Sequence, residues 1–232
     1  MINNANINPY LNTSRVFVCK DVDTNFANNV IRQYQNLCQF SNGEKAKKLV
    51  ILKDIKDVEK IKEEYQALAQ YLEGDASIAY GIYSKKDDAI CIIQDNHKRK
   101  EEKYEGNIAE QGADTLTHEF AHLLDDGLSQ TSHFENAFLE DLKELEKNLT
   151  QNPYAKIGKS DMSYLDAKEY FKHYIEGVDF TDGISSKDIT RRGARENFAE
   201  SYSTIFDENP SEVNGIYASI FSNSINATRA LI

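Results

Sequence analysis

The spacing of hydrophobic and polar positions predicts short strands near the start of this chain and helices along most of the rest. Residues 15–19 alternate like a strand, residues 49–52 form a short apolar run, and two apolar runs around a charged turn predict a hairpin over 77–93. Residues 94–111 are charged and lack apolar periodicity, which predicts a surface loop with an exposed His97. Apolar residues that recur every three or four positions predict helices over 21–40, 58–72, 114–127, 134–145, 165–176, 188–206 and 210–221. A small sheet followed by helices indicates an α+β fold.

Length and composition limit the classes of protein to which the chain can belong. With 232 residues, a single domain is predicted over 1–232, with a loose polar lead-in at 1–14. The net charge of −11 argues against a nucleic-acid partner, which would favour a basic surface. No apolar run approaches the roughly 18 residues of a membrane span, and the N-terminus lacks the basic and apolar regions of a Sec signal peptide. Cys19, Cys38 and Cys91 are odd in number and lie in apolar segments, which predicts buried free thiols.

The strongest chemical signal is the stretch H-E-F-A-H at positions 118–122, which reads H-E-x-x-H within a helix predicted to begin at Asp114. His118 and His122 are four positions apart and therefore share one face of a helix, so both rings can bind one zinc ion (Zn2+). Glu119 can then reach the water that zinc activates without binding the metal itself. The alternative is an amphipathic helix with two exposed histidines. An apolar stripe would anchor the segment in the core: Leu116, Phe120, Leu123 and Leu124.

A catalytic zinc ion needs a third protein ligand. The metzincin continuation of the motif is absent, because Asp125 and Leu128 stand where that pattern has Gly and His. A carboxylate on a later helix is therefore expected, and the segment R-E-N-F-A-E-S-Y at 195–202 supplies Glu196 and Glu200 on one helical face. The alternative is that both are ordinary solvated surface glutamates.

These motifs resemble a known family. H-E-F-A-H-L-L-D-D at 118–126 resembles the H-E-F-G-H-x-x-D-D motif of the anthrax lethal factor protease domain, and the segment at 195–202 resembles the second helix of that family, with its E-x-F-A-E core. The apolar runs at 80–84 and 89–93 look like the hairpin that precedes the active helix. The resemblance covers about 77–127 and 187–208 in the family's order. Clostridial Pro-Pro endopeptidases and the Mlc titration factor peptidases look like relatives, and H-E-F-A-H itself is closer to the latter.

The resemblance implies a zincin-like metalloprotease, with a small mixed sheet whose edge strand lies over the H-E-x-x-H helix. By position it implies a gluzincin zinc site with His118, His122 and Glu196 as ligands and Glu119 as the general base. Glu200 would stand behind the ligands in a second layer.

The same resemblance implies that a peptide substrate binds as an extended strand along the edge of the hairpin. The residues expected to bind it are Tyr80, Gly81, Ile82 and Tyr83. The alternative is an ordinary edge strand with outward tyrosines. Asp125 lies on the same helical face as His118 and His122 and is expected to accept the free N–H of a ligand histidine, with a solvated Asp125 as the alternative.

Two features depart from the family. His122 and Glu196 are 196 − 122 = 74 positions apart, which indicates an insertion near 150–186. The family has a Tyr shortly before the ligand Glu that stabilises the transition-state oxyanion, whereas this chain has D-I-T-R-R-G at 188–193. Candidates for that role are Tyr174, Tyr164, His173 and Arg192.

The predicted function is a zinc-dependent endopeptidase that acts on a protein or peptide, as a secreted bacterial toxin or effector. Without a Sec signal peptide it would reach a host cell through dedicated secretion machinery or as part of a larger toxin; the alternative location is the bacterial cytoplasm. One alternative function is an intracellular regulator of the Mlc titration factor type. Another is a non-catalytic binding module derived from a protease, against which the intact H-E-x-x-H motif argues.

Overall fold

The computed structural model describes residues 15–41, 48–73, 79–101, 108–180, 183–207 and 211–232. Within it the chain forms two compact units, an N-terminal unit over Met1–Leu124 and a C-terminal unit over Asp125–Ile232. The predicted lead-in at 1–14 lies outside the described residues. The prediction of a single domain over 1–232 stays a prediction.

The N-terminal unit contains a mixed four-stranded sheet in the order β1-β2-β4-β3. Its strands are β1 (Arg15–Val18), β2 (Lys48–Leu52), β3 (Gly81–Ser84) and β4 (Ala89–Ile93). Strands β1, β2 and β4 run parallel, whereas β3 pairs with β4 antiparallel and lies at an edge of the described sheet. The predicted α+β fold with a small mixed sheet is confirmed, and the predicted hairpin is present.

Burial explains why the two central strands are continuous apolar runs. Leu49–Leu52 on β2 and Ala89–Ile93 on β4 are fully buried, as expected for parallel strands that are covered on both faces. Helix α1 (Thr24–Phe40) packs against helix α4 (Ile108–Leu124), and α4 packs against β3 and β4. Two shorter helices complete the unit: α2 (Gln66–Glu73) and α3 (Gln94–Glu101).

The prediction of a surface loop over 94–111 is wrong at 94–101 and 108–111, and its part at 102–107 lies outside the described residues. Helix α3 occupies its first part, and α4 begins at Ile108, so Asp114 lies within α4 instead of capping it. Apolar periodicity could not reveal α3, because its buried side chains are polar and hydrogen-bonded. Gln94 accepts from the backbone N–H of Asp23 at 2.7 Å, and Asn96 donates to the carbonyl of Ala79 at 2.6 Å.

The C-terminal unit is helical in the part that the structure describes. Its helices are α5 (Ser132–Gln151), α6 (Tyr164–Tyr170), α7 (Arg191–Phe206), α8 (Glu212–Ile220) and α9 (Ser222–Leu231). The sequence predicted α7 nearly within its bounds. The last predicted helix begins at Glu212 after Ser211, and Pro210 lies outside the described residues. Helix α9 was not predicted.

A buried carboxylate on α5 explains how α9 begins. Asp141 is 2% exposed and accepts hydrogen bonds from the backbone N–H groups of Asn223 and Ser224, at 3.1 and 2.8 Å. The side chains of the same two residues also donate to it, at 2.9 and 2.7 Å. Burial raises the pKa of Asp141, although these hydrogen bonds act in the opposite direction. Asp141 therefore supplies, from another helix, the cap that Phe221 cannot make.

Cys19, Cys38 and Cys91 are buried free thiols, as predicted. Among the described residues, no helix is both long and apolar enough to cross a membrane.

Candidate metal centre

Helix α4 presents its two histidines on one face and its apolar residues to the core. The ring centroids of His118 and His122 are 4.9 Å apart, and the rings are nearly perpendicular at 84°. Both residues are half-buried, whereas Leu116 and Phe120 are 0% exposed. Of the predicted apolar stripe, only Leu123 and Leu124 remain half-buried. The helix thus combines a core face with a pair of neighbouring imidazoles, as the spacing predicts.

Strand β3 passes directly against the turn of α4 that carries Glu119. A Cβ atom at Gly81 would lie 2.6 Å from Cγ2 of Thr115, 3.0 Å from Cγ of Glu119 and 3.0 Å from Cδ1 of Ile92. Only glycine fits such a contact without displacing a neighbour. Within this unit the structure therefore brings the predicted base next to the predicted substrate-binding strand. Tyr80, Ile82 and Tyr83, the other predicted residues of that strand, are half-buried.

His97 connects the hairpin to α4, and its predicted exposure is wrong. The side chain is 1% exposed. Nδ1 lies 2.7 Å from the carbonyl oxygen of Ile93, which can only accept, so Nδ1 carries a proton. In the neutral ring Nε2 then accepts from the hydroxyl of Thr115 at 3.0 Å. The ring also lies 5.3 Å from that of Tyr80, so His97 holds together the end of β4, the start of the hairpin edge and the turn before Glu119.

The negative charge of Glu119 affects the buried thiol of Cys91 in the sheet. Burial, followed by the negative charge of Glu119, raises the pKa of the Cys91 thiol on β4. Cys91 therefore keeps its proton and is not a nucleophile. Glu119 itself is half-buried.

On helix α7, Glu196 and Glu200 are one turn apart and both are half-buried. Phe198, Ala199 and Tyr202 on the other side of the helix are buried in the core. This arrangement differs from the alternative of two fully solvated glutamates.

Asp125 has partners within the C-terminal unit. Its side chain is 0% exposed and accepts hydrogen bonds from the backbone N–H and the hydroxyl of Ser129, at 2.8 and 2.7 Å. Nε of Arg195 lies 3.5 Å from the same carboxylate. The alternative of a solvated Asp125 is therefore wrong, and its predicted role beside a zinc-binding histidine stays a prediction.

Among the described residues, His118, His122 and Glu196 form a group that could hold a metal ion. Each residue offers one ligand atom, and these atoms all lie within 4.8 Å of one another. Two imidazole nitrogens and one carboxylate oxygen are a donor set that catalytic zinc sites use, with a remaining position for water or substrate. The residues present therefore fit a zinc ion.

No protein-family model, curated protein or solved structure matches this chain. The resemblance to the lethal factor family therefore rests on the motifs of the two helices and the hairpin.

Among the four candidates for the missing family Tyr, Tyr174 is the one whose hydroxyl is bonded to a carboxylate of α7. It donates to Oε2 of Glu200 at 3.0 Å. Arg192 is exposed and pairs with Glu176 at 3.3 Å, His173 is exposed, and Tyr164 is the first residue of α6. Sequence spacing could not select Tyr174, because the turn that carries it approaches α7 only in the folded chain.

Proposed function

We propose that this chain is a zinc-dependent endopeptidase of the zincin type, with His118, His122 and Glu196 as the metal ligands. The observation that carries the proposal is the grouping of these three ligand atoms, together with Glu119 next to His118 on the ligand helix. Two neutral imidazoles and one carboxylate leave a net positive charge at a bound zinc ion, which favours the binding of water and of a carbonyl oxygen.

The chemistry divides between the metal and Glu119. Zinc, when bound, polarises the scissile carbonyl and lowers the pKa of water towards about 7. Glu119 accepts the proton from the water that attacks the carbonyl carbon, and then delivers it to the leaving amine. The C–N bond breaks as the nitrogen receives that proton, so one water molecule is consumed for each peptide bond cleaved. Glu200, one turn after Glu196, would support the ligands.

The proposed substrate is a peptide in extended conformation that pairs with the outer side of β3. This strand is bonded to β4 on one side and, among the described residues, to no strand on the other. Extended peptides bind such edges through backbone hydrogen bonds, which do not depend on side-chain identity. Because Gly81 lies against the Glu119 turn, a peptide paired along Tyr80, Gly81, Ile82 and Tyr83 would lie near the general base.

The decisive experiment measures zinc content and peptide cleavage on the same preparations. The wild-type chain is expected to bind one zinc ion and to cleave casein or members of a peptide library. Glu119→Gln is expected to keep the zinc and lose the cleavage, whereas His118→Ala is expected to lose both. A His118→Ala chain that still holds one tightly bound zinc ion would refute the ligand assignment.

We further propose that the protease is a bacterial effector that works inside another cell, because its motifs resemble a host-targeting toxin. The second candidate is a regulator within the producing bacterium, which the closer likeness of H-E-F-A-H to the Mlc titration factor peptidases favours. Expression in eukaryotic cells, with the Glu119→Gln form as control, separates the two. Toxicity or cleavage of a host protein that requires Glu119 supports the effector. Equal behaviour of both forms, with a defect in the bacterium upon deletion, supports the regulator.

A further inference from the structure

Tyr174 lies in the turn after α6, and its position is fixed by the packing of this turn on α7. A Cβ atom at Gly193, in the first turn of α7, would lie only 3.2 Å from the carbonyl oxygen of Tyr174, so the two backbones are close. The ring of Tyr174 packs with those of Phe171 and Tyr217, at centroid distances of 6.0 and 5.6 Å. Backbone and ring packing therefore aim the hydroxyl independently of any hydrogen bond it makes.

The hydroxyl of Tyr174 donates to Oε2 of Glu200 at 3.0 Å. Burial, and then the negative charge of Glu200, raises the pKa of Tyr174 well above its usual value. The phenol therefore keeps its proton and acts as a donor to the carboxylate. Hydrogen bonds to charged groups are stronger than those between neutral groups, so this contact restricts the carboxylate of Glu200.

Tyr217 offers a comparison within the same aromatic cluster. It is fully buried, but its hydroxyl donates to the backbone carbonyl of Asn197 at 3.0 Å and lies 3.1 Å from the hydroxyl of Ser201. Of these two neighbouring tyrosines, Tyr174 is therefore the one whose proton is directed at a carboxylate of the Glu196 and Glu200 face.

We propose that Tyr174 is a positioning residue of the zinc centre, which acts by fixing the carboxylate of Glu200. This inference rests on the proposed function, in which Glu196 binds the metal and Glu200 supports the ligands. Groups behind the ligands orient them, and their loss typically weakens metal binding by about 10- to 100-fold. The segment at 150–186, an insertion by comparison with the lethal factor family, would thus contribute to the centre through one phenol.

The test uses two matched Tyr→Phe substitutions in the full chain. Tyr174→Phe keeps the ring packing and removes the bond to Glu200, whereas Tyr217→Phe removes a hydroxyl of the same cluster that is bonded elsewhere. The dissociation constant for zinc, measured by competition with a chelating dye, is expected to rise about 10-fold or more in Tyr174→Phe. It is expected to stay at the wild-type value in Tyr217→Phe. The visible absorption spectrum of the cobalt-substituted protein is expected to change in the first variant alone.

A second set of variants tests the route of the effect. Glu200→Asp shortens the carboxylate side chain away from the phenol without altering the packing of Tyr174, so it keeps the test valid if Tyr174→Phe does not fold. It is expected to weaken zinc binding as well. Combining Tyr174→Phe with Glu200→Gln is expected to weaken zinc binding no further than Glu200→Gln alone, because both act through the same carboxylate.

The outcomes separate this inference from the function on which it rests. A wild-type chain that binds no zinc refutes the proposed function itself. A wild-type chain that binds zinc, with a Tyr174→Phe variant of equal affinity and equal cobalt spectrum, refutes only the role of Tyr174. Unchanged affinity with a large loss of kcat would also refute it, because the phenol would then act on the substrate directly.

Discussion

Replacing Gly81 by Ala tests how closely strand β3 must approach helix α4. The new Cβ would lie 2.6 Å from Cγ2 of Thr115 and 3.0 Å from Cγ of Glu119, both closer than side-chain contacts normally are. Thr115 cannot simply rotate its methyl group away, because its hydroxyl is bonded to His97 at 3.0 Å. The strand itself must therefore move outward, away from the predicted base.

The expected cost follows from two opposing effects. Inserting a methyl group into a tightly packed contact typically costs about 1–3 kcal/mol. Replacing glycine reduces the conformational entropy of the unfolded chain, which by itself would stabilise the fold by about 0.4–1 kcal/mol. Gly81→Ala is therefore expected to lower the free energy of unfolding by up to about 2.6 kcal/mol. It should also reduce peptide cleavage, because the edge strand no longer lies against the Glu119 turn.

The assay compares four chains by denaturant unfolding and by cleavage of one peptide. Gly215→Ala is the control, because a Cβ there would meet nothing within 4 Å and the residue lies within helix α8. It is expected to be neutral or slightly stabilising. Thr115→Ser removes Cγ2 but keeps the hydroxyl that bonds His97, so combining it with Gly81→Ala should restore both stability and cleavage.

Two results would show the reasoning to be wrong. A Gly81→Ala chain with the stability and activity of the wild type would mean that β3 does not lie as close to α4 as described. A double variant with Thr115→Ser that is no better than Gly81→Ala would mean that the Thr115 methyl is not the obstacle.

Four further outcomes follow from the structure and from the proposed function. Glu119→Gln should keep zinc, measured by metal analysis, and reduce kcat by about 100- to 10,000-fold. Glu196→Ala should weaken zinc binding more than Glu200→Ala, and a metal titration with the reverse order would reassign the ligand. Asp141→Asn should lower the free energy of unfolding by about 1–3 kcal/mol, because its amide N–H groups would face the N–H of Ser224. Burial raises the pKa of Asp141, so the folded state holds the proton of this carboxyl group more tightly than the unfolded state does. The stability that this proton binding contributes should be lost as pH rises through the folded-state pKa of Asp141. Chemical denaturation across pH can measure this loss, which should be absent from Asp141→Asn.

Local patterns predicted the elements that are defined by their own residues. The apolar runs of β2 and β4 and the helical spacing of α4 and α7 reflect burial of the same residues that carry the pattern. The parallel order of β1, β2 and β4 is different, because it depends on pairing between segments that are far apart in sequence. The periodicity of a segment does not indicate which other segment it pairs with.

Most of the features that the sequence did not predict involve buried polar residues whose hydrogen-bond partners are distant in sequence. His97 and Asn96 look like surface residues in a charged run, yet Thr115 and the carbonyl of Ala79 satisfy them inside the fold. Helix α9 has no capping residue of its own, so its start depends on Asp141 from another helix. In each case the hydrogen-bond partner of the buried polar group lies far away in sequence, so the local sequence pattern does not reveal it.

Helix α4 shows why the motif was predictable while its surroundings were not. A period of 3.6 residues lets one segment place His118 and His122 on one face and Phe120 in the core, so the proposed ligand pair and its anchor are encoded together. The contacts that set the position of Glu119 come instead from Gly81 on β3 and from His97, through Thr115. Such contacts limit where a general base can lie, and a shift of about 1 Å in a catalytic group can cost about 100-fold in rate. Activity at the proposed centre is therefore expected to depend on the glycine and the buried histidine, which no motif includes, as well as on the residues of H-E-x-x-H.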